Sequence, residues 1–180
     1  TSSGHCSLAQ NRDYWDEANN SYVCGYNPLG AADSTVMVIR LCDLEGDVKT
    51  VMVNYGCHPT TLAWDNQLIS PDYVGPMRRT VRQALGEIPV VFIQGASGDV
   101  GPREGFVGDV AVAVRNGQQL GLAALEALAA MPVEPAEFSY DGAVVSGATI
   151  GTWSYKPFLS EQITSMSRFE SMQTSFDLEY

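Results

Sequence analysis

The chain has 180 residues and a formal net charge of −11, and 45% of its residues are hydrophobic. That length and apolar share allow one domain with a real core and exclude general disorder. The acidic balance, without a basic stripe or a nucleic-acid motif, argues against a nucleic-acid partner. Because no apolar run reaches about 18 residues, we predict no transmembrane segment. We expect a soluble protein, with secretion left open.

The predicted elements, in chain order, alternate between strand and helix. Residues 1–34 show little periodicity and are expected to be irregular, as loop or extended chain. Next come strands at 36–41 and 48–55 around a turn at 44–47, a helix from Ser70-Pro71-Asp72 to Gly86, a strand at 89–93 and a helix at 109–131. Strands are predicted again at 137–140 and 143–150, with a weakly helical tail from residue 156. This order predicts a single α/β domain with a mixed sheet flanked by helices.

The loop around His58 is the first candidate site. It follows a predicted strand, and Pro59 disfavours the helical region for His58, which should therefore lie extended at the carboxyl end of that strand. A neutral imidazole there is a natural zinc ligand, although a structural loop histidine is the alternative. Cys57 cannot share one substrate atom with it, because adjacent residues of extended chain point to opposite faces. Asp72, in the first turn of the next helix, is expected to orient a metal-binding histidine.

A glycine-rich loop after the strand at 89–93 is the second candidate site. Gly95, Gly98 and Gly101 recur every third residue, either to bring backbone N–H groups close to a ligand or because tight turns need positive φ. The loop lacks the Lys-Ser/Thr of a P-loop, and its spacing differs from the dinucleotide fingerprint. Strand–helix–strand order predicts that this loop and the His58 loop face one site.

The four cysteines do not form a recognisable metal motif. Cys6, Cys24, Cys42 and Cys57 lack CxxC spacing, so we predict no structural zinc cluster. Disulfides and free thiols both remain open.

Three ordered motifs carry a family resemblance: N-Y-G-C-H-P-T-T-L at 54–62, I-S-P-D-Y-V-G at 69–75 and V-F-I-Q-G-A-S-G-D-V-G-P at 91–102. Together with Asn11-Arg12 and Asp33, their order resembles the neutral/alkaline ceramidase family over roughly residues 8–130. Members of that family are zinc-dependent amidases that cleave the N-acyl bond of ceramide. The resemblance implies that His58 is a zinc ligand and that the loop at 95–102 lines the active site.

The resemblance also suggests roles for individual residues. Asp99 and Gly101 are the candidate catalytic positions, and Asn11, Arg12, Gly95 and Gly98 are the candidate substrate-binding residues. Two departures qualify the comparison. Gly101 stands where the family's Gly-Asp-x-Ser-Pro-Asn loop has its serine, and the family's upstream His-Thr-His-Ser motif and downstream Glu and Tyr ligands are absent. Since a catalytic zinc needs about three protein ligands, we expect residues 1–180 to be the central part of a longer ceramidase-like hydrolase domain, inactive alone. Within it we distinguish an irregular segment at 1–34, an α/β unit at 35–131, and strands with a weak tail at 132–180.

Three hypotheses about function follow. The first is part of a zinc hydrolase that cleaves an amide (N-acyl) or related bond of a small or lipid-like substrate through metal-activated water. The second is a non-catalytic domain that binds a small polar or anionic ligand with the loop at 95–102. The third is a structural or interaction module without a small-molecule site.

Overall fold

The computed structural model describes residues 1–43, 45–166, 168 and 170–175. They form two compact units, one from Thr1 to Met131 and one beginning at Pro132. The elements of the first unit are β1 (Ser2–His5), β2 (Ala9–Asn11), β3 (Asp13–Asp16), β4 (Ser21–Cys24), β5 (Thr35–Cys42), β6 (Val48–Tyr55), α1 (Val74–Leu85), β7 (Val90–Gln94), β8 (Val100–Pro102) and α2 (Val110–Ala129). The second unit has β9 (Ala136–Ser146), β10 (Ala148–Pro157) and α3 (Ser160–Met166). No helix in the described ranges is long and apolar enough to cross a membrane.

The main sheet of the first unit confirms the predicted α/β class. Its strand order is β1-β5-β6-β7, antiparallel except for the parallel pair β6–β7, so the sheet is mixed. Alternate side chains in part of each strand, Val36 and Val38 in β5 and Val51, Val53 and Tyr55 in β6, are buried in a core shared with α1 and α2. This period of two is the pattern that a half-buried strand requires. Parallel pairing of β6 and β7 across α1 places the loops that follow both strands at the same edge of the sheet.

The segment at 1–34, expected as loop or extended chain, contains four short strands. β1 joins the main sheet through β5, β3 pairs with β4, and β2 pairs with β8. Only the β3–β4 hairpin is local, so sequence periodicity within the segment gave no sign of the other two pairings.

The start of α1 was predicted too early. The helix begins at Val74, because Asp72 adopts a left-handed conformation with a φ of 51°. Ser70 does not cap the helix, although its hydroxyl accepts a bond from Asp72 N at 3.1 Å. Leu85, expected on the apolar face of this helix, is 37% exposed. By contrast, Asp109 caps α2 through a bond from Ala111 N at 2.8 Å, which agrees with the predicted start.

The second unit is a long hairpin followed by a short helix. The predicted break at 141–142 lies inside β9, where Gly142 sits at an irregularity of the pairing, and the turn is at Gly147, with a φ of 76°. Lys156, the predicted start of the tail, belongs to β10. The predictions for residues 44, 167, 169 and 176–180 lie outside the described residues.

Candidate functional site

The two predicted loops come together beside His58. Its backbone N–H donates to the carbonyl of Val100 at 3.1 Å. Its ring Nδ1 lies 2.6 Å from the carbonyl oxygen of Ser97 and 3.3 Å from that of Val100. Because a carbonyl oxygen can only accept, Nδ1 carries the proton and Nε2 presents its lone pair. This is the tautomer that a metal ligand of the Nε2 type requires.

A close approach of backbone holds the two loops at this distance. A Cβ on Gly56 would lie 2.6 Å from the carbonyl oxygen of Ala96, and one on Gly95 would lie 3.2 Å from the Gly56 nitrogen. The amide of Gly95 donates to Tyr55 O at 3.0 Å. A side chain at either glycine would therefore push the loops apart. Gly56 was not singled out from the sequence, since its importance depends on a residue 40 positions away.

A positive φ does not explain the three glycines of the loop. None of Gly95, Gly98 and Gly101 has a φ in the left-handed region. Gly95 is explained by crowding, whereas a Cβ on Gly98 would have nothing within 4 Å. Two of the backbone N–H groups expected to face a ligand are already used inside the protein, because Gly95 N donates to Tyr55 O and Val100 N donates to Ser97 O.

Asn11 and Arg12 reach the glycine loop through the β2–β8 pair. The amide of Asn11 donates to Asp99 Oδ2 at 3.1 Å. The guanidinium of Arg12 donates to the carbonyl of Gly98 through Nε at 3.2 Å and Nη2 at 2.9 Å. The structure thus places Asn11, Arg12, Gly98 and Asp99 in one cluster, with the Asp99 side chain at the surface.

The hydrogen bonds observed for the Asp72 carboxylate go to backbone N–H groups rather than to the His58 ring. Its carboxylate accepts from Leu62 N at 2.8 Å and from Tyr73 N at 2.6 Å. The acceptors at the His58 ring are the Ser97 and Val100 carbonyls instead. Asp72 therefore fixes the chain that follows the His58 loop to the start of α1, and Tyr73 adds a bond from its hydroxyl to Cys57 O at 2.5 Å.

Cys57 is fully buried in the hydrophobic core. Desolvation raises the pKa of its thiol to about 12, so the group stays protonated at neutral pH. All four cysteines are free thiols, with Cys6 and Cys57 buried and Cys24 and Cys42 exposed. These facts agree with the exclusion of a Cys–His pair.

One pocket of the first unit does not include the His58 loop. A pocket of about 210 Å³ lies elsewhere on this unit, and it is lined by Ser7, Leu8, Arg103, Glu104, Arg115, Asn116 and Gln119. None of these lining residues is among the candidate site residues predicted from the sequence.

Solved structures of ceramidases resemble this chain over most of its length. A crystal structure of neutral ceramidase from Pseudomonas aeruginosa matches 77% of this chain with a TM-score of 0.55 at 16% identity. The fold is similar to part of neutral ceramidase. A second structure, a ceramidase complexed with C2, matches 72% of the chain with a TM-score of 0.56 at 19% identity. The chain spans only 22% and 24% of those ceramidase chains. No protein-family model and no curated protein matches the sequence.

Proposed function

We propose that this chain supplies one zinc-binding histidine and the substrate-facing loop of a hydrolase that cleaves an amide (N-acyl) bond of a small or lipid-like substrate. Ceramidases are amide hydrolases, so the similarity in fold supports amide hydrolysis as the class of reaction. The motif order at 54–62, 69–75 and 91–102 supports the same class. The placement of His58 next to the glycine loop supports the site.

The single observation that carries the proposal is the hydrogen bond between His58 Nδ1 and the Ser97 carbonyl, at 2.6 Å. It fixes the ring orientation and leaves Nε2 free to bind a metal. Zinc-bound histidines almost always donate their other ring N–H to a carbonyl or carboxylate in this way.

The described residues can supply one ligand to a zinc ion but not a complete zinc site. They contain no group of three or more His, Cys, Asp or Glu side chains that could hold a metal ion. A catalytic zinc takes about three protein ligands, so the others would come from outside the described residues. Bound zinc would polarise the scissile carbonyl and lower the pKa of a water molecule. We accordingly expect the 180-residue chain alone to be inactive.

The residues of this chain would position the substrate and move protons. Asp99 offers an exposed carboxylate whose orientation is held by the Asn11 amide, as a general acid or base requires. Arg12 holds the loop through the Gly98 carbonyl. Gly101 has no side chain, so position 101 cannot supply a nucleophile. A water nucleophile is therefore the proposed route, and cleavage of ceramide itself is not part of the proposal.

The two histidines of the chain provide a matched test. We expect the full-length protein and its His5→Ala variant to hold zinc near one equivalent by elemental analysis, and the His58→Ala variant to lose it. His5 is a suitable control, because its Nδ1 bonds the Ser34 hydroxyl at 2.8 Å rather than a backbone carbonyl of the glycine loop. Zinc retained by His58→Ala, or amide hydrolysis by the metal-free full-length protein, would contradict the proposal.

A second candidate function, binding of a small anionic ligand without catalysis, is supported by Arg12. None of the ion pairs found within the described ranges includes this half-buried guanidinium. Its two observed bonds go to one neutral carbonyl rather than to a carboxylate. Saturable binding of acetate or phosphate that is lost in Arg12→Gln, in a protein free of zinc, would favour this function over the first.

A further inference from the structure

A polar pocket of the first unit lies apart from the His58 loop. Its volume of about 210 Å³ is below the range of about 300–1,000 Å³ for pockets of drug-sized ligands, so it suits a smaller molecule. Its walls come from the loop between β1 and β2, the loop after β8 and the first half of α2. Arg103 N donates to Leu8 O at 3.3 Å. This backbone bond joins the first two walls of the pocket.

Arg103 brings a positive charge to this pocket. The ion pairs formed among the described residues do not include it. The contact observed for its guanidinium is with the ring of Tyr26, whose centroid lies 5.6 Å from Cζ. An aromatic ring attracts a cation, but its face offers the N–H groups no oxygen acceptor. The donors of Arg103 are therefore available to a ligand.

The second arginine of the pocket already has a partner. Arg115 Nη2 bonds both carboxylate oxygens of Glu104, at 3.0 and 2.9 Å. Because these two charges cancel, Arg103 gives the lining of the pocket one net positive charge. A ligand with a single negative charge would balance Arg103 without displacing the Arg115–Glu104 pair.

The neutral polar groups of the pocket add further donors. Asn116 is 6% exposed, and its Nδ2 donates to Thr61 Oγ1 at 3.2 Å, which fixes the amide. Gln119 Nε2 donates to Ser7 Oγ at 3.0 Å, and the Ser7 hydroxyl can donate its own proton. Each of the two amide groups also carries a second N–H. A carboxylate binds best to a charged donor supported by several others, so it matches this set.

We propose that this pocket is a binding site for a small monocarboxylate, whose carboxylate group bonds the Arg103 guanidinium and the neutral donors of the pocket. An amine would meet the positive charge of Arg103, and an apolar molecule would leave the polar walls without partners. The site uses neither His58 nor the glycine loop, so the inference does not depend on the proposed function.

Equilibrium dialysis of radiolabelled glycolate and glycolamide against the full-length protein tests the class of ligand. The two probes differ only in the carboxylate, which glycolamide replaces by a neutral amide. We expect saturable binding of glycolate and binding of glycolamide weaker by about tenfold or more, as loss of a charge-assisted hydrogen bond implies. Equal affinity for the two probes, or no saturable binding of glycolate, would overturn the inference.

Matched variants locate the site. Arg103→Gln should weaken glycolate binding by about tenfold or more, whereas Arg12→Gln, which changes the glycine loop instead, should leave it unchanged. Glu104→Gln should retain or tighten binding, because it removes the negative charge from the lining of the pocket. Loss of binding in Arg12→Gln but not in Arg103→Gln would overturn the inference, and so would weaker binding in Glu104→Gln.

Two controls separate this inference from other effects. Arg103 is exposed, so Arg103→Gln should keep the urea midpoint of the wild type, and its loss of binding is then not a loss of fold. His58→Ala should bind glycolate normally. Zinc retained by His58→Ala would contradict the proposed function alone, whereas failure to bind glycolate in the wild type would contradict this inference alone.

Discussion

Gly117 is the position at which a single added carbon should disturb the fold most. It lies in the buried face of α2, against the start of α1. A Cβ there would overlap the carbonyl oxygen of Tyr73 and lie 2.8 Å from Met77 N and 2.6 Å from Pro76 Cβ. Two of these three neighbours are backbone atoms, which cannot rotate away. The helices would have to separate by about 1 Å to restore normal contact distances.

The expected effect of Gly117→Ala on stability is therefore opposite in sign to the usual effect of a Gly→Ala substitution in a helix. In a helix interior, Gly→Ala ordinarily stabilises by about 1 kcal/mol. Overpacking of a tight core costs about 1–3 kcal/mol and occasionally more. Because backbone rather than side chain must move, we expect the upper end of that range and a net loss of about 2 kcal/mol in the free energy of unfolding.

Urea denaturation followed by far-UV circular dichroism measures this loss. Gly121→Ala is the graded comparison, because its Cβ would meet Thr80 Cβ at 2.6 Å but its nearest backbone neighbour, Met77 O, only at 3.1 Å. We expect a smaller loss there. Gly25→Ala is the control, since nothing lies within 4 Å of its added Cβ, and its effect should be small. If Gly117→Ala were as stable as the wild type, α1 and α2 could not be in backbone contact at this point.

Three further predictions concern buried polar groups. Thr60→Val should leave the free energy of unfolding in urea unchanged or raise it, because the Thr60 hydroxyl has no partner in the described part of the chain. The isosteric Thr61→Val should lower the free energy of unfolding by about 1–3 kcal/mol, since it leaves the Asn116 amide unpaired. The reverse order would refute the assignment of the unpaired hydroxyl. Cys57 should react with a thiol reagent only after unfolding, while Cys24 and Cys42 react in the native protein. Because folding raises the pKa of Cys57 from 9.0 to about 12, the stability that this group contributes should be complete below pH 9 and lost as pH rises towards 12, a loss absent from Cys57→Ala. Asp72→Ala should lower the free energy of unfolding by about 2 kcal/mol, because it removes two hydrogen bonds to backbone N–H groups and places Ala in a left-handed conformation. Asp72→Asn should lower it by less, because Asn tolerates that conformation. Equal losses would show that the left-handed conformation contributes nothing to the difference.

Local patterns predicted the centre of the fold well. Alternation in β5 and β6, and the short apolar run of β7, were sufficient to place a mixed sheet with helices between its strands. The parallel β6–β7 pair then put the His58 loop beside the glycine loop without any further information. These features depend on residues close in sequence or on general rules of chain connection.

Features that depend on distant partners could not be predicted in this way. β2 is a strand because β8 pairs with it, about 90 residues further along. Asp72 looked like a residue of the first helical turn, but its carboxylate is held by Leu62 N and its backbone is left-handed. In β9 the Asp141-Gly142 pair resembles a turn, yet the hairpin continues through it because Gly142 is accommodated as an irregularity of the pairing.

The acceptor of the His58 ring proton shows why such distant contacts matter for function. The sequence offered Asp72 as the group that orients His58, and the structure offers the Ser97 carbonyl. A carboxylate would make the imidazole a stronger electron donor, whereas a neutral carbonyl fixes its orientation with less effect on its basicity. Ser97 O is set by the same loop that carries Asp99 and Gly101, and that loop is locked to the His58 strand at Gly56 and Gly95. Any group bound at Nε2 would therefore be positioned relative to the glycine loop by backbone alone, so a change in the loop's path should alter ligand geometry even when every candidate side chain is retained.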